Sequence, residues 1–188
     1  MSKKDSKIPS TASELRQLYH AKIRAELAAA DKMAPGSDAV ACAGDLFAEV
    51  FVAKGEPGPA EASGGAALSG PDGEAVRKAL AALGFDPDSV YATLVRPAAG
   101  IDETLLLTRL RAQVEAIDPW LVLALDGVAA ADIAGAFGLG KLAFGKRILA
   151  GGREFVAVDG LEASLIDVRA KRRVWSQLQA CEPRKPVL

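Results

Sequence analysis

Asp126 is the first residue of this sequence whose type and position suggest chemistry. It directly follows 120–125, a run that is apolar at every position. Such a run is typical of a central strand that is buried on both faces in a parallel sheet. A break after it lies at the carboxyl end of the strand, where open α/β sheets bind ligands. Asp126 could therefore be a pocket acid, although we favour a second interpretation, in which it caps a helix that starts near Val128.

A second group of candidates is the basic cluster Lys171, Arg172 and Arg173. Acidic side chains outnumber basic ones in 38–140, and basic ones outnumber acidic ones in 141–188. Such asymmetry can mark a surface that binds polyanions, so these three side chains could contact phosphate. A solvated helix face is the simpler explanation. The acidic middle of the chain weakens a DNA interpretation unless the basic side chains gather on one face.

The sequence offers few ligands for a metal or a cofactor. His20 is the single histidine and lies in a predicted helix, and Cys42 and Cys181 are far apart. Zinc and iron–sulfur sites need several ligands at set spacing. We therefore expect no metal, no cofactor and no iron–sulfur cluster, with reduced thiols in a cytoplasmic protein. The charged start and the lack of a run of about 18 apolar residues argue against a secretory signal and a membrane span.

Alternating strand and helix patterns predict the framework that positions these residues. The chain has 188 residues, half of them apolar, which suits one domain with a sizeable core. We predict an α/β fold with three layers, in which a mainly parallel four-stranded sheet is flanked by helices. The predicted strands are 46–53, 90–95, 120–125 and 154–158, with short strands around Gly151-Gly152. The predicted helices are 11–32, 71–83, 129–137, 167–180 and one that Asp102 caps.

The composition also predicts how the chain is divided. We expect a disordered tail at 1–10, an N-terminal helix and linker at 11–38, an α/β domain at 39–181 and a tail at 182–188. A Gly/Pro/Ser-rich loop of nearly 20 residues starts at Lys54. Long loops of this kind inside compact domains are usually functional or mobile. In the last helix, Val174, Trp175 and Leu178 are predicted to form the buried side.

Four segments stand in an order that resembles a known superfamily. They are KGEPGP, LSGPDGEAVRKALAALGFDPDSVYATLVRP, DPWLVLALDGVAA and ASLIDVRAKRRVWSQLQ. They resemble the uracil-DNA glycosylase superfamily, in particular its bacterial family 4 and family 5 branches. That superfamily has a Gly-Glu-Ala-Pro-Gly loop, a Pro-x-Val-Ile-Val-Ala-Leu-Gly strand, and a His-Pro-Ser loop before a last helix ending Lys-Arg-x-x-Trp. The resemblance covers about 47–180 and implies a uracil-DNA glycosylase-like fold and a role related to DNA repair.

The resemblance implies that the first loop supplies an acidic residue that orients water or stabilises the cationic sugar. In an ungapped alignment this position falls on Gly55, and with a one-residue gap it falls on Glu56. The spacing to Gly70-Pro71 favours the ungapped alignment, which leaves Glu56 as a low-ranking catalytic candidate. Pro57 and Gly58 match the superfamily in both alignments and would shape the loop.

The other functional positions of the superfamily are substituted in this chain. A uracil glycosylase extrudes the base into a pocket that stacks on it and reads its edge. The stacking aromatic aligns with Leu68, and the base-reading asparagine aligns with Leu94. Gly160, Leu161 and Glu162 align with the His-Pro-Ser loop, so the histidine that donates to the leaving uracil is absent. Loss of one such donor can cost on the order of 10²–10³ in rate.

Three functions remain open at this point. We favour a pseudoenzyme, a degenerate member that has lost uracil excision and binds DNA or a protein partner. The alternative is an active DNA glycosylase that acts on another damaged base, with Glu56 or Asp126 orienting water. A third is a structural interaction module without a nucleic-acid role. No membrane partner is expected in any of the three.

Overall fold

The computed structural model describes residues 11–34 and 39–183. Among them, a six-stranded mixed sheet runs through the centre of the protein. Its strands, in chain order, are β1 (Ala43–Gly44), β2 (Val50–Lys54), β3 (Val90–Leu94), β4 (Leu121–Ala124), β5 (Ile148–Ala150) and β6 (Arg153–Ala157). Their spatial order is β1-β3-β2-β4-β6-β5. The four central strands are mutually parallel, and the two edge strands pair antiparallel.

Helices cover both faces of this sheet. They are α1 (Ala12–Asp31), α2 (Pro59–Ala62), α3 (Pro71–Ala82), α4 (Glu103–Ile117), α5 (Gly127–Phe137), a 3-10 turn (Glu162–Leu165) and α6 (Val168–Leu178). Apolar side chains of α1, α4 and α5 pack in one hydrophobic cluster. Those of α3 and α6 pack in a second cluster against the other face. The predicted α/β sheet flanked by helices is therefore confirmed.

Side chains alternate between the two faces of the sheet along β2, and this alternation determines the face on which Lys54, its last residue, lies. Phe51 and Ala53 belong to the cluster beneath α4 and α5, whereas Val50 and Val52 belong to the cluster beneath α3 and α6. Successive residues of a strand face opposite sides, so Lys54 follows Val52 onto the α3 and α6 side. A charged side chain thus enters a core face at the carboxyl end of the strand.

Side-chain caps fix the first residues of three helices, α1, α4 and α5. Thr11 and Glu14 form a capping box at the start of α1. Asp102 accepts the backbone N–H groups of Thr104 and Leu105 at the start of α4. Asp126 accepts the N–H of Ala129 at the start of α5, as the capping interpretation predicted. Each cap satisfies donors that the first helical turn leaves free.

Three expectations are corrected by the structure. The sheet has six strands rather than four. The edge strand β1 has too few residues to show a period of two, and β5, one of the short strands predicted around Gly151-Gly152, also joins the sheet. The long loop after β2 contains the short helix α2, which starts with Pro59 at its first turn. Trp175 is 38% exposed, although it was predicted on the buried side of the last helix. Val174 and Leu178 are buried as expected.

Several boundary predictions fall on residues outside the described ranges. These are the tail at 1–10, the linker residues 35–38 and the last part of the tail, 184–188. None of the helices in the described ranges has the length and apolar character needed to span a bilayer.

Candidate functional site

Lys54 is the centre of a buried ion cluster at the carboxyl edge of the sheet. Its ammonium Nζ lies 2.8 Å from Asp72 Oδ2, 3.1 Å from Glu162 Oε1 and 3.5 Å from Glu61 Oε2. Lys54, Glu61 and Asp72 are each less than a tenth exposed, whereas the side chain of Glu162 is 51% exposed. The cluster therefore has three buried members and one arm that reaches solvent.

Glu61 holds the loop together as well as contacting the lysine. Its Oε2 accepts the N–H of Gly58 at 3.0 Å, and its Oε1 accepts the N–H of Leu68 at 2.9 Å. Buried backbone donors need such partners. A Cβ at Gly58 would overlap both Lys54 Nζ and Glu162 Oε1. A larger residue at this position would therefore require the ends of these two side chains to shift.

The pKa of Lys54 is raised above its ordinary value of 10.5. Burial is the largest single influence and lowers it, because a charged group loses hydration. The hydrogen bonds to Asp72 and Glu162 and the charges of Asp72 and Glu61 together outweigh burial. Lys54 is thus a cation at neutral pH, and its charge is held by the surrounding carboxylates.

Asp126 joins the ends of two neighbouring parallel strands. Its Oδ2 accepts the N–H of Gly55 at 2.8 Å, and its Oδ1 accepts the N–H of Ala129 at 2.8 Å. The first bond ties the loop after β2 to the end of β4, and the second caps α5. Both oxygens therefore carry structural hydrogen bonds, although the residue also lines the adjacent pocket.

A pocket of about 280 Å³ opens at this edge of the sheet. Four of the predicted site residues line it: Asp126, Gly160, Leu161 and Glu162. Lys54 and Asp72 complete its polar wall. The pocket thus lies at the carboxyl ends of parallel strands, the place where α/β sheets bind ligands. Its polar wall is one cation with several carboxylates, and no imidazole is among the lining residues.

The loop residues predicted from the resemblance lie beside this pocket rather than in it. Glu56 and Pro57 are exposed, and Gly55 and Gly58 are buried. The charge of Glu56 adds to the raised pKa of Arg96, which comes mainly from the hydrogen bond between Arg96 and Asp132. The carboxylate of Glu56 therefore interacts electrostatically with the guanidinium of Arg96.

Leu68 and Leu94 lie in the hydrophobic core beneath α3. Both are no more than 1% exposed, and neither is among the residues that line the pocket. Leu68 has a positive φ of 54°, which is unusual for a residue with a Cβ. Its carbonyl also lies so close to Gly73 that a Cβ there would overlap it. Both leucines are thus core residues, and Leu68 also makes a close backbone approach to α3.

The basic side chains of Lys171, Arg172 and Arg173 have different surroundings on α6. Arg173 pairs with Asp159 at 3.1 Å between Nε and Oδ2. Lys171 and Arg172 instead line a separate apolar groove between α3 and α6. Arg173 thus has an acidic partner, whereas Lys171 and Arg172 make no ion pair among the described residues.

The remaining sulfur and imidazole groups lie away from the pocket. His20 packs edge-on against Phe47, with ring centroids 4.6 Å apart. Cys42 and Cys181 are free thiols. Burial raises the pKa of Cys181 to about 12. Across 11–34 and 39–183, no group of three or more histidine, cysteine or acidic side chains is arranged to hold a metal ion.

The chain was also compared with known proteins. No protein-family model matches it, and the curated proteins contain no match.

The central residue of the site, Lys54, was missed in the sequence. The apolar strand pattern ends at Ala53, so the sequence predicts that Lys54 starts a loop. One signal could have found it. Lys54 is the only lysine or arginine between residues 33 and 76, a stretch that holds seven acidic residues. A single cation in such a stretch is expected to attract several carboxylates.

Proposed function

We propose that this protein has a uracil-DNA glycosylase-like fold that has lost base excision and functions by binding. The observation that carries the proposal is the ion cluster around Lys54. An ammonium group has three donors, and three carboxylates lie within reach of Nζ. No donor of Lys54 is left to stabilise a departing base anion, and such stabilisation usually contributes most to the rate of reactions of this kind.

The substituted base-pocket positions support the same proposal. The pseudoenzyme hypothesis requires that the positions for stacking and edge reading no longer face a ligand. Leu68 and Leu94 are buried in the core, and Leu161 is only 5% exposed. A uracil placed against these leucines would leave its polar edge without hydrogen bonds, which costs most of the discrimination of such a site.

The charge of the pocket argues against a DNA phosphate at this edge. Glu61, Asp72 and Glu162 bring three negative charges to one lysine, so the cluster as a whole is anionic. Phosphate contacts need cations that are free to neutralise it. Binding to a protein partner is therefore favoured over binding to DNA. Since both cysteines are free thiols, the cytoplasm remains the expected compartment.

An active glycosylase on another damaged base remains the second candidate. The observation in its favour is that Asp126 lines the 280 Å³ pocket. Its two oxygens already accept N–H groups of Gly55 and Ala129, but a carboxylate has further lone pairs that could orient water. Glu56 would have to turn inward from its exposed position to take the same role.

The two candidates separate in a single assay. Purified full-length protein is incubated with single strands and duplexes that carry uracil, hypoxanthine or xanthine, and strand cleavage is scored after alkali. We expect no cleavage on any substrate, with an active glycosylase as the positive control. Cleavage that disappears in Glu56→Gln or Asp126→Asn would overturn the proposal and support the active enzyme.

DNA binding is measured on the same substrates by electrophoretic mobility at 50 and 200 mM salt. We expect little binding even at the lower concentration. Binding that weakens steeply with salt, without cleavage, would keep the loss of excision but replace the protein partner with DNA.

A further inference from the structure

An open apolar groove of about 380 Å³ lies between α3 and α6. Ala75 and Ala79 form its wall on α3, and Val168, Trp175 and Leu178 form its wall on α6. Leu161, which also lines the pocket at Lys54, contributes to both cavities. The groove is therefore next to the degenerate site but has a different chemical character.

Large apolar side chains are exposed around this groove. Val168 is 64% exposed and Trp175 is 38% exposed, and both line it. Leu165 and Ile166 are 42% and 93% exposed and line a neighbouring apolar pocket of about 460 Å³. Four such residues within eleven positions form a patch of the kind that marks an interaction surface.

Unpaired cations border the apolar surface. Lys171 and Arg172 line the groove, and Arg169 lies exposed near the start of the same helix. Among the residues that the structure describes, none of these three makes an ion pair, whereas the adjacent Arg173 is paired with Asp159. Cations that lack a partner beside an apolar groove are complementary to acidic side chains of a bound molecule.

We infer that the α3–α6 groove binds an acidic amphipathic helix of a protein partner. The apolar residues of such a helix, spaced i, i+3 or i+4, and i+7, lie in the groove between Ala79 and Trp175. Its aspartate or glutamate side chains pair with Lys171 and Arg172. This is the helix-in-groove mode of recognition. The inference rests on the proposed function and extends it by naming the partner chemistry and the surface.

Other occupants fit the groove less well. A second copy of the chain that docked symmetrically would bring two grooves, each bordered by Lys171 and Arg172, into one interface, and like charges across an interface are costly. The phosphates of a DNA backbone could pair with Lys171 and Arg172, but they would leave the apolar lining of the groove exposed to water. They would also approach the carboxylates Glu61 and Glu162 at the neighbouring pocket.

The inference can be tested by selecting ligands for the full-length protein. The probe is a phage-displayed library of random 16-residue peptides. We expect enrichment of sequences with helical apolar spacing and a net negative charge. Enrichment of basic or non-amphipathic peptides, or no enrichment, would overturn the inference.

Variants then locate the binding surface. The best enriched peptide is labelled and titrated against the Lys171→Glu, Arg172→Glu double variant and against Val168→Asp. We expect the affinity to fall at least about tenfold in each, since one reverses the bordering charge and the other places a carboxylate in the apolar wall. Val168 is the first residue of α6, where a carboxylate suits the helix dipole, so the fold should persist.

The matched control is Lys22→Glu, Arg24→Glu on α1, across the sheet from the groove. It reverses the same number of charges and should leave the affinity unchanged. An equal loss in the control, or no loss in the groove variants, would place binding elsewhere and overturn the inference.

Two further probes separate other partner classes. A 20-base-pair duplex and phosphatidylserine vesicles are each titrated into the protein, with and without the peptide as competitor. We expect neither to compete. Displacement of the peptide by DNA or by vesicles would assign the groove to that ligand instead. Base excision is measured separately. Failure of peptide binding would overturn this inference alone, whereas base excision would overturn the proposed function.

Discussion

The pocket at Lys54 and the α3–α6 groove are neighbours, but they differ in whether their charged side chains already have partners within the chain. At the carboxyl edge, Lys54 is surrounded by three carboxylates, and both oxygens of Asp126 accept backbone N–H groups. In the α3–α6 groove, Lys171 and Arg172 stand beside apolar surface without an ion pair among the described residues. Groups that are already paired have little left to offer a ligand, whereas unpaired ones do. The position of a cavity in the fold therefore does not by itself identify the binding site.

The largest expected effect is the loss of the central cation. Lys54→Met leaves Glu61 and Asp72 buried without their counter-ion, and breaking a buried pair from one side costs about 3–5 kcal/mol. Urea unfolding of the variant and the wild type measures this difference. The control is Lys78→Met, which removes an exposed pair with Glu74 and should cost less than about 1 kcal/mol.

The same variant has a defined pH dependence. Because the pKa of Lys54 is raised in the folded state, its contribution is complete below the ordinary lysine pKa of 10.5. It is lost only as the pH rises through the higher folded value. The difference between wild type and Lys54→Met should therefore be constant from pH 7 to 10. A difference that falls as the pH rises within that range would contradict the raised pKa.

A smaller effect is expected when one carboxylate of the cluster is removed. Glu61→Ala leaves the N–H groups of Gly58 and Leu68 without their acceptor, so we expect a loss of about 2–3 kcal/mol. Glu162→Ala removes a half-exposed arm and should cost less than about 1 kcal/mol. Thermal unfolding of the two variants compares them directly. Equal losses would mean that the exposed arm is as important as the buried one.

Substitution of exposed apolar residues beside the groove should leave stability almost unchanged. Ile166→Ser alters a side chain that is 93% exposed, so its effect is expected within about 0.5 kcal/mol. Binding of a hydrophobic dye should decrease in the same variant, because the apolar patch becomes smaller. A stability loss above about 1 kcal/mol would mean that Ile166 packs against the chain itself.

The smallest effect is expected at the thiol of Cys181, which follows the end of α6. Cys181 is 3% exposed, and burial raises its pKa to about 12, so little nucleophilic thiolate forms at pH 8. Iodoacetamide should modify it only in unfolded protein, while the half-buried Cys42 serves as the internal comparison. Mass spectrometry after a short exposure reads both sites. Rapid modification of Cys181 in the folded protein would show that the C-terminal end of α6 detaches from the core. A stable wall of the groove requires that it stay packed.

The fold could be predicted from the sequence where the pattern was long and repetitive. The apolar run that forms β4 and the caps at Asp102 and Asp126 could be predicted because each follows a local rule. The edge strand β1 was not predicted, since two residues carry no measurable period, whereas β5 lies in the region where short strands were predicted around Gly151-Gly152. Trp175 was predicted to be buried from its helical spacing, but it lies 38% exposed on the wall of the open groove.

The candidate site was less predictable because it depends on contacts between distant residues. Asp126 was expected at the carboxyl end of its strand, and 160–162 was expected at the site by resemblance. The structure brings both to one pocket with Lys54. The partners of Lys54 lie 7, 18 and 108 positions away along the chain. No spacing rule links them, so only the fold shows that the lysine is saturated.

The most direct test of the central claim is release of free base under single-turnover conditions. Excess protein is incubated with single-stranded DNA that carries radiolabelled uracil, and the released base is separated and counted. The detection limit is set with an active glycosylase whose donor histidine has been substituted, which lowers its rate on the order of 10²–10³-fold. We predict no release above that of heat-inactivated protein. Release that increases with protein concentration and is lost in Asp126→Asn would contradict the account.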